Sequence, residues 1–210
     1  MDGTMANRKD KSIATLSGET ALVDQLGDRV RSVLAMLGED VGREGLQETP
    51  RRVATMLQDL TRGLHRNPED ELSVEFHENY EGIILVRDIS FFSLCEHHLL
   101  PFFGVAHVAY HPARGILTGL SKIARVVEVA SRRPQVQERL TMEIGGALEH
   151  RLHPNGVFVW MQAEHLCMAM RGIQKVGTKT VTVHATGTLA ADQFQYQSLM
   201  LQLACPGGGS

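Results

Sequence analysis

The spacing of apolar residues changes near residue 72 from a helical to a strand-like period, and this change constrains the possible folds more than any other feature. Upstream, apolar residues recur at steps of three and four in two segments that fit amphipathic helices: Leu22, Leu26, Val30, Val33, Leu34 and Leu37, then Val53, Met56, Leu57, Leu60 and Leu64. Downstream lie short β-prone runs at residues 82–89, 105–110, 156–163 and 178–188. The sequence therefore predicts an N-terminal helical unit followed by a domain built on a sheet.

Two further helices interrupt the strand-like runs. Ser121 can cap the first, and Pro134 can open the second, which Pro154 ends. Strands that precede and follow two consecutive helices are typical of α+β proteins with an antiparallel sheet, rather than of doubly wound parallel folds. We therefore predict the α+β class, with an antiparallel sheet and the two consecutive helices on one of its faces.

These patterns divide the chain into four segments. Residues 1–20 are polar without a sustained period and are predicted to form a mobile tail, whereas residues 21–70 form the helical unit. Residues 71–204 form the sheet domain, which ends in a helix over residues 190–204, and residues 205–210 are a frayed end.

Composition excludes several classes of function. The net charge of −3, from 21 Lys and Arg against 24 Asp and Glu, gives no basic surface, so we predict no nucleic-acid partner. No apolar run approaches the roughly 20 residues that span a bilayer, and the first residues lack the apolar stretch of a secretory signal. We therefore predict a cytoplasmic protein with no membrane partner.

Cysteine and histidine spacing indicates a metal site. Cys95 and His98 form a C-x-x-H pair in SLCEHHLLPF, and Cys167 lies in AEHLCMAMRG. Two thiolates and an imidazole are a zinc-binding set, and three protein ligands leave one coordination position open, as in catalytic zinc sites. On spacing alone, two buried thiols and a core histidine are an equal alternative, because a single C-x-x-H pair is a weak signal.

Two more histidines lie next to these residues. His165 precedes Cys167 by two positions, so in extended backbone both side chains point to the same face. His97 adjoins His98 and could orient a water or a substrate nitrogen. Imidazole titrates near neutral pH, which suits a group that accepts and donates protons in one cycle. His97 alone is equally compatible with an ordinary surface histidine.

Cations and a carboxylate form a second constellation. Lys122 and Arg125 are three residues apart, hence on one helical face, and Arg171 follows Cys167 by four residues. Three cations near a metal favour a polyanion such as a phosphate chain. Glu138, with Gln137 beside it, could accept paired hydrogen bonds from guanine N1–H and its amine. For any one of these residues, a solvated helix face is the commoner explanation.

Taken together, these motifs resemble those of the GTP cyclohydrolase I family. The matching segments cover roughly residues 46–188, in this order: ETPRRVA, CEHHLLPFFG, HVAY, GLSKIARVVE, RPQVQERLT, AEHLCM, MRGIQK and KTVTV. The resemblance implies a tunnelling fold with an N-terminal helical portion, assembled as a toroidal homodecamer with active sites between subunits. It further implies that the substrate is GTP and the cofactor Zn²⁺.

The resemblance also assigns roles to residues. In similar enzymes, the positions of Cys95, His98 and Cys167 hold zinc, His165 is the proton donor and acceptor, and His97 assists at the imidazole ring. Positions that bind substrate match seven residues: Glu138 and Gln137 at guanine, Ser121, Lys122, Arg125 and Arg171 at the triphosphate, and Arg52 from a neighbouring subunit. The implied reaction opens the imidazole ring at C8, releases formate and yields 7,8-dihydroneopterin triphosphate.

The sequence leaves two alternatives to the complete enzyme. One is a catalytically idle paralogue that serves as a metal- and nucleotide-binding regulatory module, and the other is an enzyme that stops at a ring-opened intermediate. The chain departs from the family pattern at Val183, His184 and His111, and in its C-terminal tail. None of these departures falls on a matched metal or catalytic position.

Overall fold

The computed structural model describes residues 6–73 and 75–204, with side chains for 20–73 and 75–203. The predicted frayed end, residues 205–210 including Cys205, lies outside the described residues. The chain divides into two compact units, Met1–Asp59 and Leu60–Ser210.

The first unit is helical. It contains α1 (Ala6–Met36), a short 3-10 helix (Glu44–Leu46) and α2 (Thr49–Leu60). α1 begins earlier than the apolar pattern indicates and includes most of the segment predicted as a tail. That segment has no proline, and helix propensity does not require an apolar stripe. After α1, Gly38 adopts a φ of 91°, as the sequence position of the helix end indicates.

The second unit is built on a five-stranded sheet of order β5-β2-β3-β6-β7. Neighbouring strands are antiparallel, except that β5 pairs parallel with the end of β2. β1 and β4 form a separate two-stranded sheet. The strands are β1 (Glu75–His77), β2 (Ile84–Cys95), β3 (Pro101–His111), β4 (Ile116–Thr118), β5 (Pro134–Gln135), β6 (Gly156–His165) and β7 (Lys179–Ala185).

Two long helices cover one face of this sheet, and the C-terminal helices cover the other. β6 shows why: Val157, Val159 and Met161 belong to a core cluster with α3 and α4, whereas Phe158 and Trp160 pack in a cluster with the C-terminal helices. The helices are α3 (Leu120–Ser131), α4 (Gln137–Leu152), α5 (Leu166–Ala169), α6 (Thr188–Ala191) and α7 (Gln193–Ala204). The predicted α+β class, with two consecutive helices on one face, is confirmed.

Two boundaries differ from the sequence prediction. Pro134 does not open α4; it lies in β5, opposite Leu94 of β2, and α4 begins three residues later. The two units divide after Asp59 rather than near residue 70. Residues beyond Asp59 belong to the second unit because Gly63 N donates to Arg132 O (2.9 Å) and Leu72 is fully buried in the main core.

The sheet brings the predicted site residues together at one end of its strands. β2 ends at Cys95, β6 ends at His165, and β3 runs between them with Phe102 opposite His165. Residues at and after the ends of β2 and β6, the two neighbours of β3, therefore meet beside the start of β3. No helix in the described part of the chain is long and apolar enough to cross a membrane.

Candidate metal centre and active site

Three potential metal ligands converge at this end of the strands. The ligand atoms of Cys95, His98 and Cys167 all lie within 4.8 Å of one another. A tight turn places the first two, because Leu99 N donates to Cys95 O (2.7 Å) with Leu99 at a φ of 54°. Cys167 reaches them from α5, directly after β6. The spacing in sequence thus becomes a compact group in space.

The donor set fits zinc. Two sulfur ligands and an imidazole nitrogen suit this borderline-soft cation, and within the described residues no fourth His, Cys, Asp or Glu joins the group. Burial, together with the hydrogen bond and charge interaction with the Cys95 thiol, raises the pKa of Cys167. Neighbouring thiols resist losing both protons unless a cation stabilises the two thiolates. The arrangement can therefore hold a divalent cation with room for a further ligand.

His165 lies beside this group with its ring fixed on two sides. The ring stacks on Phe102, with centroids 4.6 Å apart and planes 3° from parallel. Its Nε2 lies 2.8 Å from Oε1 of Gln137. Burial lowers the pKa of His165, although the charge of Glu138 partly opposes this shift. The imidazole is therefore neutral at neutral pH and can accept a proton.

His97 is the second histidine of the site. Its Nδ1 lies 3.9 Å from Sγ of Cys95, and its ring centroid is 6.3 Å from that of His98. The side chain is exposed, unlike that of the buried Cys95. His97 is thus next to the ligand group but open to a bound molecule.

The predicted cations occupy different places. Arg171 Nη1 donates to Nε2 of His98 (2.6 Å), so this guanidinium is at the ligand group. Lys122 lies in the first turn of α3, with Nζ 3.4 Å from Oγ of Ser73. Ser121 and Arg125 are exposed on the same helix. In the described part of the chain, no hydrogen bond joins these three α3 residues to the metal ligands. Arg52 lies exposed on α2 of the first unit.

Gln137 and Glu138 have contrasting environments at the start of α4. Glu138 is exposed and close enough to His165 to influence its titration. Gln137 is only 1% exposed, and both ends of its amide bond to protein atoms. The structure therefore leaves Glu138 accessible to a base, but gives the Gln137 side chain internal partners.

Two residues that support the site are not among the predicted site residues. Phe102 provides the surface on which His165 stacks, and Thr182 of β7 accepts a hydrogen bond from Gln137. Thr182 belongs to the alternating pattern of β7, but its threonine face is the one that packs towards α4, while Val181 and Val183 are exposed. The alternation alone does not say which face of an edge strand is covered.

Fold and site together define an α+β protein with a group of two cysteines and a histidine that could hold a metal ion, flanked by a second histidine and an arginine. The family model of GTP cyclohydrolase I matches residues 26–204. The chain is 54% identical to GTP cyclohydrolase 1 of Streptococcus gordonii over 177 residues, which cover 84% of this chain and 95% of the relative. It is 50% identical to GTP cyclohydrolase 1 of Streptococcus mutans over 187 residues, covering 88% of this chain and 97% of the relative.

The chain therefore belongs to the GTP cyclohydrolase I family. This confirms the family and the enzyme class predicted from its motifs.

Proposed function

We propose that this protein is a zinc-dependent GTP cyclohydrolase I that hydrolyses the guanine imidazole ring of GTP at C8, releases formate and forms 7,8-dihydroneopterin triphosphate. The observation that carries the proposal is the convergence of Cys95, His98 and Cys167 beside His165, in a chain of this family. Zinc bound by these ligands supplies a Lewis acid that activates water near neutral pH.

His165 is proposed to move protons during ring opening. Its lowered pKa keeps the ring neutral before reaction, so that it can accept a proton and return it to a ring nitrogen as a C8–N bond breaks. Stacking on Phe102 holds the imidazole plane in place while this happens. His97, exposed beside Cys95, is proposed to assist at the imidazole ring of the base.

Substrate binding is assigned to residues around this centre. The exposed carboxylate of Glu138 can accept from N1–H and the amine of guanine, a donor pair that adenine lacks. Arg171, Lys122 and Arg125, with the Ser121 hydroxyl, are proposed to bind the triphosphate. Arg52 is proposed to come from a neighbouring subunit.

We propose a homodecamer with active sites between subunits. The exposed edge of the sheet supports this assembly: Val181 and Val183 of β7 are 47% and 41% exposed, although they lie in a strand. An open strand edge with apolar side chains is a ready template for pairing with another chain. We also propose that the protein is cytoplasmic. Cys95 and Cys167 are free cysteines, and thiols persist under reducing conditions.

The proposal is tested by incubating the zinc-loaded protein with GTP. Formate release, a fluorescent pterin after oxidation and the product mass should identify the complete reaction. Cys167→Ala should lose zinc and turnover together, whereas His165→Ala should keep zinc and lose turnover. Release of neither formate nor pterin by the wild-type protein would leave the idle regulatory module as the explanation. A product that retains the formyl carbon would instead identify an enzyme that stops after ring opening.

A further inference from the structure

The buried side chain of Gln137 is tied to His165 rather than open to a ligand. The two protons of its Nε2 point towards three acceptors on the neighbouring strands: Met161 O (3.3 Å), Thr180 O (3.1 Å) and Thr182 Oγ1 (3.1 Å). Its Oε1 lies 2.8 Å from Nε2 of His165. The amide therefore bridges the β6 and β7 strands to the histidine.

The surroundings determine which way this amide points. A flipped amide would place Oε1 against the backbone carbonyls of Met161 and Thr180, acceptor against acceptor, which is unfavourable in a buried site. The NH₂ group must therefore face the strands, and Oε1 must face His165.

A hydroxyl relay reinforces this orientation. Thr141 Oγ1 has one proton, and the backbone O of Gln137 (2.8 Å) is a nearer and stronger acceptor for it than Sδ of Met161 (3.3 Å). With that proton on Gln137 O, Thr182 is the donor in the 2.6 Å contact between Thr141 and Thr182. Thr182 Oγ1 consequently presents a lone pair to Nε2 of Gln137.

This orientation fixes the tautomer of His165. An amide oxygen can only accept, so Nε2 of the histidine carries the proton and the lone pair of the neutral ring is on Nδ1. Nδ1 makes no hydrogen bond to the described part of the chain, and Phe102 holds the ring plane. The basic nitrogen is thereby left available to a substrate.

We propose that Gln137 is a positioning residue, which fixes the ring orientation and tautomer of His165, and that its side chain does not contact guanine. This inference rests on the proposed function, since it concerns the histidine that moves protons in that reaction. It gives Gln137 a different role from the guanine-reading role implied by the family resemblance. Glu138 then remains the side chain of this pair that selects the base.

Gln137→Met tests the inference because methionine has a similar length but cannot orient the imidazole. Its kcat for formate release should fall about 10- to 100-fold, a typical loss for a group that orients a reacting residue, with little change in the KM for GTP. Gln137→Glu should recover part of the loss, since a buried protonated carboxyl can replace both amide functions. A base-reading role predicts the opposite: weaker GTP binding and poorer discrimination against ATP.

A double-mutant cycle separates the two roles further. In the His165→Ala background, Gln137→Met should cause no further loss of residual turnover and no change in the Kd for GTP. Additive losses in kcat, or a weaker Kd, would overturn the inference. Thr182→Val, which removes one of the groups that orient the amide, should show the same pattern with a smaller effect and provides a second route if Gln137→Met does not fold.

A structural readout makes the inference independent of turnover. With ¹⁵N-labelled histidine, the His165 ring should show a protonated Nε2 and an unprotonated Nδ1 in the wild-type protein, and Gln137→Met should lose this preference. Gln135→Met is a matched control, because Gln135 is equally buried but its amide bonds to Ala130 and Glu143. Absence of GTP turnover in the wild-type protein would contradict the proposed function but not the inference about Gln137. An Nδ1-protonated His165, or an unchanged tautomer in Gln137→Met, would contradict the inference but not the proposed function.

Discussion

At the scale of single residues, Arg171, which is proposed to bind the triphosphate, contacts His98 of the candidate metal site. Its Nη1 donates a hydrogen bond to Nε2 of His98. Nε2 of His98 is therefore the acceptor, and the donor is a cation. The ring cannot keep this bond while it ligates a metal: if Nε2 binds the ion, Arg171 is displaced, and if Nδ1 binds it, Nε2 carries a proton. Metal binding should therefore release the guanidinium for a phosphate.

We expect Arg171→Met to bind zinc more tightly, because the competing hydrogen bond and a nearby positive charge are both removed. The gain should be about 1 kcal/mol, or roughly fivefold in Kd, while GTP binding weakens. Competition with a chromophoric chelator measures the zinc affinity, and Lys175→Met is the control, since it removes a cation from the same exposed loop. Equal zinc affinities in wild-type protein and Arg171→Met would disprove the competition.

At the scale of secondary-structure elements, α4 and β7 are fitted to each other through Gly145 and His184. A Cβ at Gly145 would lie 2.2 Å from Cδ2 of His184, whereas a Cβ at Gly146 would have no heavy atom within 4 Å. His184 Nε2 bonds to Glu149 Oε1 (2.9 Å), which also accepts from Thr186 Oγ1 (2.7 Å). These contacts explain how the unusual His184 is accommodated: glycine leaves space for the ring and a carboxylate receives it.

Substituting the two glycines separately tests this packing. Gly145→Ala should lower the free energy of unfolding by about 1–3 kcal/mol, because the new methyl group forces the His184 ring to move. Gly146→Ala should raise it by about 0.5–1 kcal/mol, because alanine favours a helix interior. Urea denaturation of both variants measures the difference. Equal effects of the two substitutions would show that His184 does not depend on the space at Gly145.

At the scale of the whole molecule, a buried histidine makes stability depend on pH. His107 of β3 is 4% exposed, its Nδ1 accepts from Asp88 N (3.2 Å), and the Trp160 ring centroid lies 5.1 Å away. Burial lowers the pKa of His107, although the Asp88 charge partly opposes the shift. The unfolded chain therefore binds a proton at a higher pH than the folded protein does.

The sign of the dependence follows from this difference. The stability that the neutral histidine contributes is present above the unfolded pKa of about 6.5 and is lost as the pH falls from there towards the folded pKa. We expect the wild-type free energy of unfolding to decrease over that range, and His107→Gln to show a shallower decrease, since its amide can accept from Asp88 but does not titrate. Parallel pH profiles for the two proteins would contradict this assignment.

Assembly is also a property of the whole molecule. If subunits pair through the exposed edge of β7, Val183→Lys should place a charge in the contact and reduce the assembly to smaller species with low GTP turnover. Light scattering coupled to size-exclusion chromatography measures this change. Phe194→Lys, which adds the same charge at an 80% exposed position on α7, is the comparison. A full-sized, active Val183→Lys protein would exclude this edge from the interface.

The sequence by itself determined the α+β class, the pair of long helices and the three residues of the candidate metal site. These features can be predicted because strand alternation, helical apolar stripes and motif spacing each depend on residues that are close together in the sequence. It did not determine where the units divide or that Pro134 belongs to a strand, since both depend on pairing with distant segments.

Only the tertiary structure decided how the site residues relate to one another. Cys95 and Cys167 are far apart in the chain and meet because β3 aligns the ends of β2 and β6. The Oε1 of Gln137 lies against His165 because acceptors on β6 and β7 hold its NH₂ group. The orientation of a buried amide depends on its neighbours in space, and these neighbours cannot be identified from spacing along the chain.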